Sequence, residues 1–195
     1  MRYRWPHSLC SALVLLLITT FADAETVADL TRRATSGEAV AQYELAVKYQ
    51  NGDGVSRNDG RAFEWFRKAA EQGNPAAQNA LGIAYSTGAG TAQDKEEALR
   101  WYQKAAQQGY AAALFNVGTA YYNGDGTARD LIKAYAWFLL AKEAGNTPAH
   151  EAVARLTGEL TAESILGARF FIADNYLSGK ELPRTPRRPC GIIAS

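Results

Sequence analysis

Few residues in this chain have the type and spacing that chemistry requires. Its 195 residues include two histidines and two cysteines. His7 and Cys10 fall in an N-terminal stretch that reads as a removable leader, which leaves His150 and Cys190. Cys190 ends the run Pro183-Arg184-Thr185-Pro186-Arg187-Arg188-Pro189-Cys190, where no recognised feature lowers a thiol pKa. As the only cysteine of the processed chain, it could form a disulfide only with another chain. No histidine can be paired with it from the sequence, and no Ser-x-x-Lys motif occurs. Asn51-Gly52-Asp53-Gly54 and Asn123-Gly124-Asp125-Gly126 faintly echo a calcium loop. They lack the alternating acidic ligands and the terminal glutamate, and a glycine turn accounts for them. No nucleotide-binding loop and no basic stripe with interleaved aromatics is present. The reading is therefore of a non-enzyme with no catalytic, metal or cofactor site.

The elements that would carry any function begin after residue 24. Arg2 and Arg4, the apolar stretch from Leu9 to Thr20 and Ala22-Asp23-Ala24 form the three parts of a secretory signal peptide over 1–24. The apolar run is short for a membrane span of about 20 residues, so removal is expected and no span should remain. The chain holds 21 basic and 20 acidic residues, and losing Arg2, Arg4 and Asp23 leaves 19 of each. A near-neutral chain gives no argument for nucleic acid or an anionic membrane surface. The expected compartment is periplasmic or extracellular, and the expected state a monomer.

Beyond the leader an internal period governs everything. Trp65, Trp101 and Trp137 lie 36 residues apart, as do Tyr49, Tyr85 and Tyr121. The same step joins Gly52, Gly88 and Gly124, then Gly54, Gly90 and Gly126, and also Gly37, Gly73, Gly109 and Gly145. Fixed-period self-similarity of this length indicates stacked supersecondary units. Each unit reads as two helices around a glycine loop. First helices carry Ala41, Leu45, Ala46 and Tyr49 on one face, then Ala77, Leu81, Gly82 and Tyr85, then Ala113, Val117, Gly118 and Tyr121. The small residue at Ala46, Gly82 and Gly118 suggests close helix approach. Asn58, Asp94 and Asp130 are placed to cap the second helices, whose stripes are Ala62-Trp65-Ala69, Ala98-Trp101-Ala105 and Ala134-Trp137-Ala141. The tryptophans read as buried pillars, and Gly73, Gly109 and Gly145 as helix terminators.

Residues 26–36 read as a lone second helix at the N-terminal end, and 148–178 as two capping helices. The first of these spans about 148–157. The second, about 162–178, is capped by Thr161 and bears Ile165, Leu166, Phe170, Phe171 and Tyr176. Solenoids need atypical ends to cover their last apolar face. The repeat domain is thus expected over 25–179, with repeats about 38–73, 74–109 and 110–145. A Pro/Arg tail follows over 180–195.

These residues resemble the Sel1-like repeat family, a relative of the tetratricopeptide arrays. The family pattern is Ala-x3-Leu-Gly-x2-Tyr, Gly-x-Gly, then Asp-x3-Ala-x2-Trp-x3-Ala-Ala-x2-Gly. The second unit matches at Ala77, Leu81, Gly82, Tyr85, Gly88, Gly90, Asp94, Ala98, Trp101, Ala105, Ala106 and Gly109. The first departs at Ala46 and Asn58, the third at Val117 and Lys142. The resemblance implies an all-α, right-handed α/α superhelical solenoid with a concave groove lined by first helices. It also implies work as a protein-interaction adaptor or regulator in the cell envelope. A cysteine-rich branch of the family is associated with penicillin binding, which leaves a cell-wall or β-lactam-related hydrolase as an alternative. A structural envelope component is another. No cysteine lies in any repeat here, which argues against the first of these.

Helical geometry turns one band of first-helix residues away from the repeat core. The band is Tyr43, Val47 and Gln50, then Asn79, Ile83 and Ser86, then Phe115, Thr119 and Tyr122. Stacking would align these nine along the groove as the surface for a protein or peptide partner, because exposed aromatic and apolar groups in a groove are common anchors. Alternatively, Ile83 and Phe115 pack on neighbouring helices and only the remainder is exposed. Arg184, Arg187 and Arg188 of the tail offer a second surface, for an acidic partner.

Overall fold

The computed structural model describes residues 26–178, with side chains through 172. The expected leader, the tail with Cys190, Arg184, Arg187 and Arg188, and the side chain of Tyr176 lie outside the described residues. Every regular element among the described residues is an α-helix. They are α1 (Val27–Thr35), α2 (Ala39–Asn51), α3 (Asp59–Glu71), α4 (Pro75–Thr87), α5 (Lys95–Gln107), α6 (Ala111–Asn123), α7 (Leu131–Glu143), α8 (Thr147–Glu159) and α9 (Ala162–Ser178). From α1 to α8 each helix packs on those before and after it, and α9 folds back onto α7. The result is an all-α solenoid of stacked helix pairs.

Local chemistry sets the bounds. The carboxylate or amide oxygen of Asn58, Asp94 and Asp130 accepts the backbone N–H of Arg61, Glu97 and Lys133 at 2.8, 2.8 and 2.9 Å. These side chains satisfy donors that a helix start leaves unpaired. Asn74 and Asn146 cap α4 and α8 in the same way, each with a proline in the first turn. At the other end of each first helix Gly52, Gly88 and Gly124 adopt left-handed backbone, with φ of 81°, 76° and 80°.

The second loop glycine has a separate role. A Cβ on Gly90 would lie 2.1 Å from the carbonyl oxygen of Asp59, and one on Gly126 would lie 2.2 Å from that of Lys95. The loop of each pair thus rests directly on the first turn of the preceding second helix. That contact couples consecutive repeats.

Within each pair, the small position of the first helix faces an aromatic of the second. A Cβ on Gly82 would meet the Tyr102 ring at 2.6 Å, and one on Gly118 the Phe138 ring at 2.7 Å. Ala46 clusters with Phe66. Phe66, Tyr102 and Phe138 are 36 residues apart and all buried. This corrects the tryptophan reading. Trp137 is buried, but Trp65 and Trp101 are half-buried, with the Lys68 and Lys104 ammonium groups 4.1 and 3.7 Å from their ring centres. The ring adjacent to each tryptophan is the one that fills the space between the helices.

A glutamine relay ties the first two repeats to the helices before them. Gln42 Nε2 donates to the Ala34 carbonyl at 3.1 Å, and Gln78 Nε2 donates to that of Ala70 at 3.2 Å. Both glutamines are buried. Their own oxygens accept from Gln72 and Gln108 at 2.7 and 2.8 Å. The relay adds a second donor to carbonyls at the ends of α1 and α3 that also accept the backbone N–H of Gly37 and Gly73, at 3.2 and 3.0 Å. In the third repeat Leu114 and Ala144 occupy the two glutamine positions, so the relay is not repeated there and Leu114 is buried in the apolar core instead.

Candidate functional site: the first-helix face

The nine band residues do not share one environment. Gln50 and Ile83 are exposed, Ile83 at 40%. Tyr43, Val47, Ser86, Phe115, Thr119 and Tyr122 are half-buried, and Asn79 is buried at 7% exposure. Burial of Asn79 corrects its placement on an open surface. Asn116 Nδ2 on the next first helix donates to Asn79 Oδ1 at 2.9 Å, so its carbonyl serves the contact between α4 and α6.

Tyr43 and Phe115 are anchored from behind. The Tyr43 ring centre is 5.8 Å from that of Phe66, and Phe115 is 5.2 Å from Phe138. Burial pushes the Tyr43 phenol above its usual range, and nearby Tyr110 adds to the shift. Of the two residues expected as alternative packing groups, Phe115 packs in this way and Ile83 does not.

A polar cleft of about 160 Å³ opens between α4, α5 and α6. Ser86 and Thr119 of the band line it together with Lys95, Tyr102, Asn116 and Asp125. Lys95 Nζ donates to Asp125 Oδ1 at 2.6 Å, and Asn123 Nδ2 donates to Asp125 Oδ2 at 3.2 Å. The ammonium hydrogen bond holds the Asp125 carboxyl below its usual range. In the glycine loop that echoes a calcium site, an internal cation therefore occupies the carboxylate. The Tyr102 phenol is pushed up to about 12, chiefly by burial, with a hydrogen bond to Ser86 opposing. The cleft thus offers hydroxyl and amide groups for hydrogen bonding. It holds no pairing of a nucleophile with a base.

Other candidates scatter. His150 is exposed on α8, with Nδ1 3.3 Å from the Thr147 carbonyl. Among the described residues no three His, Cys, Asp or Glu side chains gather where they could hold a metal ion. No helix among them is long and apolar enough to cross a membrane.

The first-helix face has a fourth rung that sequence reasoning missed. Glu151, Arg155 and Gly158 on α8 stand 36 residues beyond Phe115, Thr119 and Tyr122. Arg155 reaches back so that its guanidinium carbon is 4.9 Å from the Tyr122 ring centre. The signal was the period itself, continued one step into a helix that reads as an end cap.

Comparison with known proteins agrees with this architecture. No curated protein matches the chain. A Sel1 repeat protein from Oxalobacter formigenes is 39% identical, with a TM-score of 0.60 over 65% of this chain and 96% of that one. The antigen c5321, described as protective and present in uropathogenic Escherichia coli strains, displays the same fold. It is 26% identical with a TM-score of 0.58, over 85% of this chain but only 45% of the antigen. Helicobacter pylori cysteine rich protein B is 22% identical, with a TM-score of 0.53 over 66% of this chain and 98% of that one, a likeness of fold alone. The Sel1 repeat model itself matches three times, at residues 39–74, 75–110 and 111–146. With three consecutive matches covering more than half its length, the chain belongs to the Sel1 repeat family.

Proposed function

We propose that this protein is an exported, periplasmic adaptor that holds a segment of a partner protein along the face of α2, α4 and α6. Sel1 repeats build protein-interaction modules, and residues 1–24 have the pattern of a secretory leader. One observation carries the reading. Positions that pack the repeat recur in kind every 36 residues, whereas the outward positions do not: Val47, Ile83 and Thr119 differ, as do Gln50, Ser86 and Tyr122. A surface shaped only by stacking would be free to stay uniform. Half-buried rings fixed from behind, as Tyr43 and Phe115 are, supply contact area at low entropic cost.

Alanine at Tyr43 or Phe115 would disturb the core as well as the face. Ile83 is the cleaner probe because it is exposed and clear of the interhelical aromatic contacts. Photo-crosslinking from position 50 in native cells, followed by mass spectrometry, should give a defined product in the periplasmic fraction. Ile83→Asp should abolish that product while leaving the thermal unfolding curve in place. An identical product pattern from the wild type and the variant would dismiss the face as the binding surface.

A further inference from the structure

The band changes character along its length. Its first rungs carry Tyr43, Val47 and Ile83, and its last carries Arg155 beside Tyr122. Arg129, from the loop between α6 and α7, approaches the same ring, with its guanidinium carbon 5.5 Å from the centre. Its Nε donates to the Tyr122 carbonyl at 2.9 Å, which fixes the head group in place. Two guanidinium groups therefore attend one half-buried tyrosine.

Neither is in an ion pair with any described residue. For Arg155 this holds although Glu151 and Glu159 lie one turn away on either side of α8. For Arg129 the repeat supplies a direct comparison. Arg57 stands at the same position two repeats earlier, and it is held by both oxygens of Asp59, each at 3.1 Å. Two repeats on, the place of Asp59 is taken by Leu131. The arginine is kept and its internal carboxylate is gone.

We infer that Tyr122, Arg129 and Arg155 form a carboxylate subsite at the C-terminal end of the band, which takes an aspartate or glutamate side chain of the bound partner segment. This rests on the groove reading above. Stacking on the ring restricts the long arginine side chains, and with Nε of Arg129 engaged by the Tyr122 carbonyl its terminal N–H groups remain to donate. Paired N–H donors match the two oxygens of a carboxylate and form strong, charge-assisted hydrogen bonds. Freedom lost in advance is not lost again on binding. The apolar rungs would anchor the segment, and the arginines would fix which of its ends lies at α8.

The test pans random peptides, displayed as N-terminal fusions with no free C-terminal carboxylate, on purified protein. Wild type should enrich peptides bearing an acidic side chain at a fixed distance from apolar anchors. The double variant Arg129→Gln/Arg155→Gln should bind those peptides about tenfold or more weakly, in keeping with the loss of charge-assisted contacts at a partly exposed site. Leu131→Asp, which rebuilds the Arg57–Asp59 arrangement with both arginines present, should also weaken them. Peptides that depend on Ile83 but show no acidic preference, or bind the double variant undiminished, would overturn the subsite and leave the groove standing. Failure to enrich any peptide sensitive to Ile83→Asp would overturn both.

Discussion

Substituting alanine at Gly90 and at Gly73 separates two demands that the loops place on glycine. Both residues have positive φ, 75° and 91°. A left-handed backbone costs an L-residue about 1–2 kcal/mol, and that cost is common to the two variants. At Gly73 a new Cβ meets nothing within 4 Å. At Gly90 it would fall 2.1 Å from the Asp59 oxygen, 2.5 Å from its carbonyl carbon and 2.9 Å from the Gly60 nitrogen. These are backbone atoms in the first turn of α3, so no side chain can rotate aside. Forcing them apart adds the cost of overpacking, about 1–3 kcal/mol. Gly73→Ala should therefore lose about 1–2 kcal/mol and Gly90→Ala about 2–5 kcal/mol. The extra loss falls on the interface between repeats, because solenoid stability divides into unit and nearest-neighbour contributions. Urea unfolding followed by far-ultraviolet circular dichroism measures both. Gly73→Ala should lower the midpoint of a single transition. Gly90→Ala should lower it further and broaden the curve as the first repeat uncouples. Equal midpoints and equal slopes would refute the claim that the second loop glycine is required by contact between repeats.

Two more variants probe the interior. Burial holds the Tyr102 phenol neutral up to about 12, so the folded state keeps a proton that the unfolded chain loses near pH 10. Stability should be intact below pH 10 and fall by roughly 3 kcal/mol as pH rises to 12. Tyr102→Phe should flatten that decline in denaturant titrations at pH 9.5 and 11.5, and an unchanged slope would count against it. Gln78→Leu removes two side-chain hydrogen bonds, but the Ala70 carbonyl keeps the Gly73 N–H at 3.0 Å and the Gln108 amide keeps the Gly73 carbonyl at 3.0 Å, so it should cost about 0.5–1.5 kcal/mol. Adding Gln108→Ala reproduces the Leu114 and Ala144 arrangement of the third repeat and should recover part of the loss by the same urea measurement.

Helix positions were legible because chemistry at the helix ends is local. Asn58, Asp94 and Asp130 announce the second helices, and Gly52, Gly88 and Gly124 end the first ones within a residue or two of the expected bounds. Depth was not legible. Adjacent helix residues are about 100° apart, so Trp65 and Phe66 both fall on a broad apolar arc. Which ring lies deeper is decided by the partner helix, whose close approach at Ala46, Gly82 and Gly118 selects Phe66, Tyr102 and Phe138. The band shows the same limit. Periodicity gave its direction, but Asn79 sinks below the surface because a side chain 37 residues away reaches it. The glutamine relay was also present as a 36-residue step, yet a polar residue in a helix reads as exposed until the carbonyl it serves is in place.

The irregularity of the band has a consequence for recognition on the groove reading. A solenoid with identical rungs would bind an extended segment equally well in several registers, each displaced by one repeat. Here the rungs differ in kind: Tyr43, Val47 and Gln50; then Asn79, Ile83 and Ser86; then Phe115, Thr119 and Tyr122; then Glu151, Arg155 and Gly158. A slip of one repeat would set an apolar group of the partner against Arg155, or an acidic group against Thr119 at the edge of the polar cleft. Stranding a carboxylate away from its guanidinium forfeits the charge-assisted contacts and still removes the group from water, so wrong registers are penalised as well as unrewarded. The scaffold residues can therefore repeat without making the binding surface degenerate. On that reading, register and direction rest on the few positions that break the period, and among these Arg155, with Leu131 in place of the carboxylate that holds Arg57, distinguishes one end of the face from the other.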